Sequence, residues 1–314
     1  MAADPSEKRR LPPALDIRNL QAFLAVAEEL HFGNAACRLG IAQPPLSQLI
    51  RKIEQALGYA LFVRDTRKVE LTPPGEALVV LARDLLARLD GGLKHVAAVA
   101  RGDAGRLEVG FTPTVALDVL PRIIRGFRAT FPAVEAHLFE MLPDPLHEAL
   151  GTRSIDVAIM REPSEHWGNR IIALCQEPFV AVLPAQHRLA DPGTRFRLGE
   201  LRDEPFVLFP HNRGSKNMAK MLALCAEASF LPRIVQEVPG WQTAVSMVGA
   251  GIGVSIQPAS VMRLQMQGVV YRPVPSDIQS IIALVTRPDE DRPMIANFIE
   301  ACRNLMAARS EHDQ

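Results

Sequence analysis

Apolar residues recur at helical spacing near the start of the chain, behind a charged, proline-containing tail at 1–14 that we expect to be disordered. Asp16 can cap a first helix, whose apolar stripe would pack beneath the two helices that follow. A later helix carries one stripe formed by Leu46, Leu49, Ile50, Ile53 and Leu57. Before it, Gly40 suits a tight turn because glycine accepts positive φ, and Ile41 is predicted to fill the angle between the helices. The pattern predicts a helix-turn-helix over 34–57.

The opposite face of this last helix carries only uncharged polar and basic groups besides a proline. Gln43 lies in the cap region, and the face consists of Pro44, Ser47, Gln48, Arg51 and Gln55. Phosphates repel acids, and base edges need amide, hydroxyl and guanidinium groups, so this face suits a DNA major groove. An ordinary amphipathic helical hairpin has the same spacing and remains an alternative on this stretch alone.

Two short extended arms over 60–71 flank a polar tip that begins at Asp65. A hairpin directly behind a helix-turn-helix is a wing. Its basic residues could reach backbone phosphates or the adjacent minor groove; they are Arg64, Arg67 and Lys68. The alternative is an exposed basic turn, and the position behind the helix pair favours the wing.

A long helix is predicted from Pro73 onward, with an apolar stripe along about seven turns, or roughly 40 Å. The stripe consists of Leu78, Leu81, Leu85, Leu89, Leu93, Val96 and Ala100. A stripe of this length between two domains predicts pairing with a second copy of the chain. Packing on the chain's own second domain is the alternative, and Gly91 and Gly92 indicate a break or bend.

After a short predicted linker at 101–105, strands alternate with helices through the rest of the chain. Strands are predicted at 107–111, 134–139, 155–160, 171–174, 179–183, 206–209, 234–237, 253–256, 269–271 and 281–285, and helices at 115–128, 146–151, 216–228, 243–249 and 293–308. This rhythm predicts an α/β fold with open sheets, two lobes and a ligand cleft at the carboxyl ends of the strands.

Residues at these strand ends indicate a site for a carboxylate. Thr112 and Thr114 stand before a predicted helix, where hydroxyls and free N–H groups can bind an anion, although they could equally cap the helix. Arg161 ends another strand and could supply a positive charge, or else form a rim ion pair with Glu162. In the second lobe, the loop 209–215 adds Phe209, His211 and Asn212 to the predicted effector-binding set.

Composition changes this picture little. The 314 residues are 48% hydrophobic and 22% charged, and 35 basic residues balance 35 acidic ones. Over 35–70, however, six basic groups face three acidic ones, a modest footprint compatible with a DNA module. The four cysteines are scattered, which favours buried free thiols over a metal site, and no cofactor is expected. Without a signal peptide or a membrane-spanning apolar run, we expect a cytoplasmic protein without membrane contact.

Three motifs in the first domain are together highly specific: AQPPLS at 42–47, the LF-x-R pair at 61–64, and LTPPG at 71–75. With LEVGFTPT, DVAIMR and GAGIGVSIQP further on, nearly the whole chain after the tail resembles LysR-type transcriptional regulators. The resemblance implies a winged helix-turn-helix domain at 15–72, a linker and dimerisation helix at 73–102, and an effector domain of periplasmic-binding-protein type at 103–308. Lobe I of that domain would comprise 103–178 and 281–308, and lobe II 179–280.

The family resemblance also implies function and partners. Such a regulator binds a pseudo-palindromic promoter site on double-stranded DNA as a homodimer, usually assembled into a homotetramer, and RNA polymerase is a further possible partner. A small effector in the cleft changes DNA bending. AQPPLS and the pair Phe209-Pro210 are most similar to the branch that senses products of aromatic catabolism, whereas Pro143 stands where those relatives tend to carry a hydroxyl.

The family's base- and phosphate-contacting positions correspond here to Gln43, Pro44 and Ser47, and its wing contact corresponds to Arg64. The remaining members of the predicted DNA-binding set are Asn34, Gln48, Arg51, Arg67 and Lys68. Many relatives have Arg-Gln after the serine of the motif, where this chain has Gln48 and Leu49. Because glutamine prefers adenine and arginine prefers guanine, we predict a shifted operator preference.

An enzyme and a solute-binding protein for transport are the competing functions for a two-lobed cleft. The chain has no G-x-S-x-G, Walker or H-E-x-x-H motif, and no cysteine has an adjacent histidine. GAGIGV at 249–254 lies between a predicted helix and a predicted strand, the reverse of the order in a dinucleotide site. The missing signal sequence and the fused winged helix argue against transport.

Overall fold

The computed structural model describes residues 15–64, 68–208 and 216–312, so the predicted tail at 1–14 lies outside the described residues. The chain divides into two compact units, residues 1–97 and 98–314. Because the division falls inside the long helix, the predicted linker boundaries at 73 and 102 stay predictions.

Three helices form the core of the first unit: α1 (Ile17–Glu29), α2 (Phe32–Leu39) and α3 (Gln43–Leu57). The Asp16 carboxylate accepts a hydrogen bond from the backbone N–H of Asn19 at 2.7 Å, which confirms the predicted cap of α1. Between α2 and α3, Gly40 has a φ of +66°, as the tight turn requires. The helix-turn-helix is therefore present where the apolar pattern predicted it.

Two details of the helix-turn-helix differ from the prediction. Gln43 is the first residue of α3 rather than a residue before it. Ile41 is 43% exposed and does not fill the angle between the helices. The small side chains of Ala35 and Ala36 are fully buried there, so α2 packs closely without a larger plug.

The wing consists of strands β1 (Phe62–Arg64) and β2 (Val69–Leu71), which pair antiparallel. Its tip at 65–67 lies outside the described residues. Behind the wing, a Cβ atom at Gly75 would lie 2.2 Å from the carbonyl oxygen of Leu61. The last position of the LTPPG motif therefore requires glycine, because only glycine lets the next helix start against this backbone.

The long helix α4 spans Pro73–Arg101, 29 residues, and continues unbroken through Gly91 and Gly92, contrary to the predicted break. Apart from the helix's own nearby backbone, no atom of the described residues lies within 4 Å of the position that a Cβ at either glycine would occupy. Only the start of the predicted stripe is covered, since Leu78 packs in the core of the first unit. The exposed remainder includes Leu81, Leu85, Leu89, Leu93 and Val96.

The second unit contains two lobes. Lobe I is built on a five-stranded sheet of β3 (Ala104–Phe111), β4 (Ala133–Glu140), β5 (Val157–Arg161), β6 (Arg170–Glu177) and β12 (Ser280–Thr286), in the order β4-β3-β5-β12-β6. Its helices are α5 (Val119–Thr130), α6 (Pro143–Gly151) and α9 (Pro293–His312). Helices α5 and α9 cover one face, where Phe127 and Phe298 stack edge-to-face with centroids 4.9 Å apart.

Lobe II is built on β7 (Phe179–Pro184), β10 (Ser255–Pro258) and β11 (Val269–Pro273), with β7 in the centre, and on the parallel pair β8 (Pro205–Leu208) and β9 (Arg233–Glu237). A bridge between Phe206 and Val254 joins the two groups of strands. The helices of lobe II are α7 (Lys216–Glu227) and α8 (Trp241–Gly249). The chain passes between the lobes at Pro178 and again over 274–279.

All the strands predicted after residue 105 are present, with small shifts at their ends. The helix predicted at 115–128 is instead a 3₁₀ helix (Pro113–Leu117) followed by α5. The predicted linker at 101–105 shrinks to two residues, because α4 ends at Arg101 and β3 begins at Ala104. Gly102 makes this short junction possible: its φ is +75°, and a Cβ atom there would lie 2.3 Å from the backbone nitrogen of Met294.

Candidate DNA-binding surface and effector cleft

The face of α3 that points away from the core is open to solvent. Its exposed members are Gln43, Pro44, Gln48, Arg51 and Gln55, and Ser47 is half-buried. On the other side, Leu46, Ile50 and Ile53 are fully buried. The first turn of α3 carries no acidic residue. Lys52, which the sequence pattern did not single out, is also exposed and adds a cation to this surface.

Basic residues of the first unit differ in whether a carboxylate already neutralises them. Arg38 pairs with Glu28 at 2.9 Å. By contrast, within the described part of this unit Arg51, Lys52 and Lys68 form no ion pair. Among the described residues, none of these three cations has to break an ion pair before it binds a DNA phosphate.

Arg64, the predicted wing contact, is held by α3. Its guanidinium donates to a carboxylate oxygen of Glu54 at 3.0 Å and lies 4.9 Å from the centre of the Phe32 ring. The other Glu54 oxygen accepts from the backbone N–H groups of Leu61 and Phe62 at 3.0 and 3.3 Å. Glu54 thus fixes the wing to the helix, and Arg64 remains 31% exposed at the side chain.

His31, at the start of α2, is a residue that the sequence pattern missed. Asn34 is exposed, and its backbone N–H donates to Nδ1 of His31 at 3.1 Å, so His31 caps the helix. The available signal was a polar residue directly before the helix, but histidine is not among the usual capping residues.

Two residues of the predicted anion site lie close together at the end of β3. Thr112 is buried and its Oγ1 lies 3.5 Å from Oγ1 of Thr114, which is half-buried. Pro113 begins the 3₁₀ helix, and the Thr112 hydroxyl makes no capping hydrogen bond to it. The capping alternative is therefore wrong for Thr112. The two hydroxyls lie side by side where β3 ends and the 3₁₀ helix begins.

Arg161 is buried at the junction of the lobes and pairs with Glu177, not with the neighbouring Glu162. Its guanidinium also donates to the hydroxyl of Ser280 at 2.7 Å and lies 4.9 Å from the centre of the Trp241 ring. Burial lowers the pKa of Arg161, whereas Glu177 opposes this shift by favouring the charged guanidinium. The rim-pair alternative is wrong because the side chain turns inward, across β12.

Glu177 connects this buried pair to lobe II. Its carboxylate accepts from the backbone N–H of Ser260 at 2.6 Å and from the Ser260 hydroxyl at 3.0 Å. Glu162 instead pairs with Lys220 of α7 at 2.8 Å. Two carboxylates of lobe I are thus bonded to lobe II, and no local pattern in the sequence indicates either partner.

A cavity of about 570 Å³ opens beside the buried pair. Lobe I contributes Asp118, Cys175 and Glu177, and lobe II contributes Ser260 and Arg263. Asp118 and Arg263 form an ion pair at 3.5 Å across this opening. Thr112, Thr114 and Arg161 are not among the residues that line this cavity, and Arg161 is connected to it through its partner Glu177.

Several predicted site residues lie outside the described residues. These are Arg67 at the wing tip and Phe209, His211 and Asn212 in the lobe II loop. Over 15–64, 68–208 and 216–312, no group of histidine, cysteine and carboxylate side chains could hold a metal ion. In the same ranges no helix is long and apolar enough to cross a membrane. Burial raises the pKa of the Cys225 and Cys302 thiols to about 12, which leaves both unreactive.

A winged helix-turn-helix joined to a two-lobed α/β domain is the architecture of a transcriptional regulator that responds to a small molecule. The model for bacterial regulatory helix-turn-helix proteins of the lysR family matches residues 17–76, and the model for the LysR substrate binding domain matches residues 100–307. The chain therefore belongs to the LysR family of DNA-binding transcriptional regulators.

Individual relatives agree with this assignment. The HTH-type transcriptional regulator AlsR of Bacillus subtilis is 34% identical over 300 residues, which is 95% of this chain and 99% of AlsR. ShiR of Corynebacterium glutamicum is 38% identical, over 83% of this chain and 88% of ShiR. Both are named as regulators and not as enzymes, so we assign the chain as a regulator and reject the enzyme alternative.

Solved structures show the same fold. The LysR family regulator CbnR is 29% identical and matches 92% of this chain and all of its own with a TM-score of 0.83. CbnR has also been solved in complex with its target DNA, and that structure matches this chain with a TM-score of 0.79. Full-length BenM, also 29% identical, gives a TM-score of 0.57.

Proposed function

We propose that this regulator reads promoter DNA with the exposed face of α3 and responds to a small carboxylate bound between its two lobes. The observation that carries the first half is the exposed, carboxylate-free surface of Gln43, Gln48 and Arg51. Ser47, Asn34 and the wing residues Arg64, Arg67 and Lys68 complete the proposed contact set. The amides and the guanidinium read base edges, and the wing binds phosphates.

The proposed DNA contact can be tested by electrophoretic mobility shift on the DNA upstream of the regulator's own gene, across a range of salt concentrations. We expect this DNA to be preferred over unrelated DNA at every salt concentration. Loss of this preference at every salt concentration would reject the proposal. A steep salt dependence alone would not support it, because it reports only contact with phosphates.

Two copies of the chain are proposed to form a dimer through α4, and two such dimers are proposed to form a tetramer. Leu89 and Leu93 are 38% and 61% exposed, and a second copy could cover both. The double substitution Leu89→Glu with Leu93→Glu places acidic groups on the pairing face. We expect it to lower the oligomeric state in analytical ultracentrifugation, whereas Arg88→Glu with Lys94→Glu, on flanking exposed positions, should not.

The effector is proposed to bind with its carboxylate at the hydroxyls of Thr112 and Thr114. Arg161 contributes little net charge to this site because Glu177 neutralises it. Its Nε–H has no hydrogen-bond partner among the described residues and remains a donor. Phe209, His211 and Asn212, which lie outside the described residues, stay in the proposed effector-binding set.

A thermal-shift screen against small carboxylic acids tests the effector proposal, since a ligand that binds only the folded state raises the unfolding temperature. Ring-cleavage products of aromatic catabolism belong in the screen because AQPPLS and Phe209-Pro210 resemble that branch of the family. We expect a stabilising acid whose effect disappears in Thr112→Val. A stabilising ligand without any carboxylate, unaffected by Thr112→Val, would reject the site.

A further inference from the structure

His31 combines three properties that the proposed contacts do not use. It is exposed, it caps α2, and it approaches Gly33 from the same side as the Gln43 side chain. The Nδ1 atom of its ring accepts the backbone N–H of Asn34 at 3.1 Å. An imidazole nitrogen that accepts a hydrogen bond carries no proton, so the neutral ring must carry its proton on Nε2. The cap therefore fixes both the tautomer and the orientation of a hydrogen-bond donor.

The position of the ring follows from the space around Gly33. A Cβ atom at Gly33 would lie 2.9 Å from Cε1 of His31 and 3.9 Å from the amide oxygen of Gln43. The imidazole and the Gln43 amide thus flank the same point on the surface. Cε1 is bonded to Nε2, so the free donor of His31 lies one bond beyond the ring atom that faces this point.

The surroundings of His31 favour an anionic acceptor. Neither α2 nor α3 has an acidic residue in its first turn. The nearest acids along the chain, Glu28 and Glu29, are both bonded to Arg38. No carboxylate in the described ranges accepts the Nε2 proton of His31. The donor is therefore free for a ligand that approaches α3.

We infer that His31 donates its Nε2–H to a DNA phosphate that flanks the base pair contacted by Gln43. Its role is positioning, because a hydrogen bond from an uncharged ring to a backbone phosphate fixes the register of α3 in the groove without reading sequence. The inference rests on the proposed docking of α3, in which the amide of Gln43 enters the major groove.

The test compares wild type with His31→Asn by fluorescence anisotropy on the regulator's upstream DNA. Asparagine is among the best capping residues, so this variant keeps α2 capped. Its amide N–H groups lie on a shorter side chain and do not reach the position of Nε2, so the proposed donor is lost. We expect an unchanged unfolding temperature and about a tenfold weaker affinity, the size of one hydrogen bond to a charged group. The salt dependence of the affinity should not change, because the lost contact is neutral.

A second measurement separates a phosphate contact from an indirect effect on the helix. Single phosphates of the bound site are replaced in turn by uncharged methylphosphonates, and both proteins are titrated. The wild type should lose affinity at one phosphate in each half-site where His31→Asn loses none. Equal affinity of the two proteins, or identical methylphosphonate profiles, would overturn the inference.

A control variant reports separately on the proposed docking. Gln43→Ala should relax the preference for one base pair per half-site while it keeps the methylphosphonate profile of the wild type. If Gln43→Ala leaves every base preference unchanged, the docking of α3 is wrong and the inference falls with it. If Gln43→Ala relaxes the base preference but His31→Asn has the same methylphosphonate profile as the wild type, only the inference about His31 fails.

Discussion

Arg51 on α3 and Arg161 in the effector domain are both arginines at predicted ligand sites, and they differ in burial and in ion pairing. Arg51 is exposed and forms no ion pair in the described part of its unit, whereas Arg161 is buried against Glu177. A free surface guanidinium can bind a phosphate, but a buried, neutralised one first serves the fold. An internal carboxylate thus determines how much charge such an arginine can offer to a ligand.

The largest effect expected from this contrast is on the stability of the effector domain. Arg161→Met leaves the Glu177 carboxylate buried without its charge partner, which we expect to cost about 3–5 kcal/mol of unfolding free energy. Urea unfolding followed by tryptophan fluorescence measures this domain selectively, because both tryptophans, Trp167 and Trp241, lie in it.

The matched control for Arg161→Met removes both charges. Arg161→Met with Glu177→Leu should recover most of the lost stability, since no unpaired charge remains. If the single variant unfolds within about 1 kcal/mol of the wild type, the buried pair does not hold the domain together.

Arg51→Gln should have a smaller effect, and on DNA binding alone. Loss of one phosphate or base contact is expected to weaken binding to the upstream DNA by about tenfold and, if the contact is to phosphate, to lower the salt slope by about one. Anisotropy titrations at several salt concentrations measure both. Arg38→Gln is the control, because Arg38 is already paired with Glu28 and should show a smaller change. A larger loss in Arg38→Gln than in Arg51→Gln would contradict the contrast.

The last expected effect is a change in the acid profile of stability, and it concerns Glu290, in the loop before α9. Hydrogen bonds from Arg292 and Arg287 lower the pKa of this carboxyl to about 2 from 4.5. Its stabilisation is therefore fully present above about pH 4.5 and is lost as the pH falls toward 2.

Acid titration of the tryptophan fluorescence tests this window. Glu290→Gln should flatten the loss of effector-domain stability between pH 4.5 and about 2, the interval set by the shifted pKa. Asp289→Asn is the control, since Asp289 is exposed and pairs with exposed Arg153. An unchanged acid profile in Glu290→Gln would show that other carboxyls determine it.

Local patterns predicted the elements of this fold well, and long-range partners poorly. The stripe of Leu46, Ile50 and Ile53 predicted α3 because the apolar periodicity of a helix can be recognised within one short segment of the sequence. Arg161 and Glu177 lie at the ends of different strands with β12 between them, so no spacing in the sequence predicts their contact. His31 was missed for a different reason: its capping role depends on a ring orientation that residue type does not reveal.

The exposed face of α3 is proposed to read the operator, and a complete single-base substitution profile tests this most directly. Each base pair of the bound upstream site is replaced in turn, and the affinities of wild type and Gln48→Arg are compared. We predict that Gln48→Arg shifts one position per half-site from adenine toward guanine by about 1–3 kcal/mol and leaves the others unchanged. An identical profile for the two proteins would contradict the account.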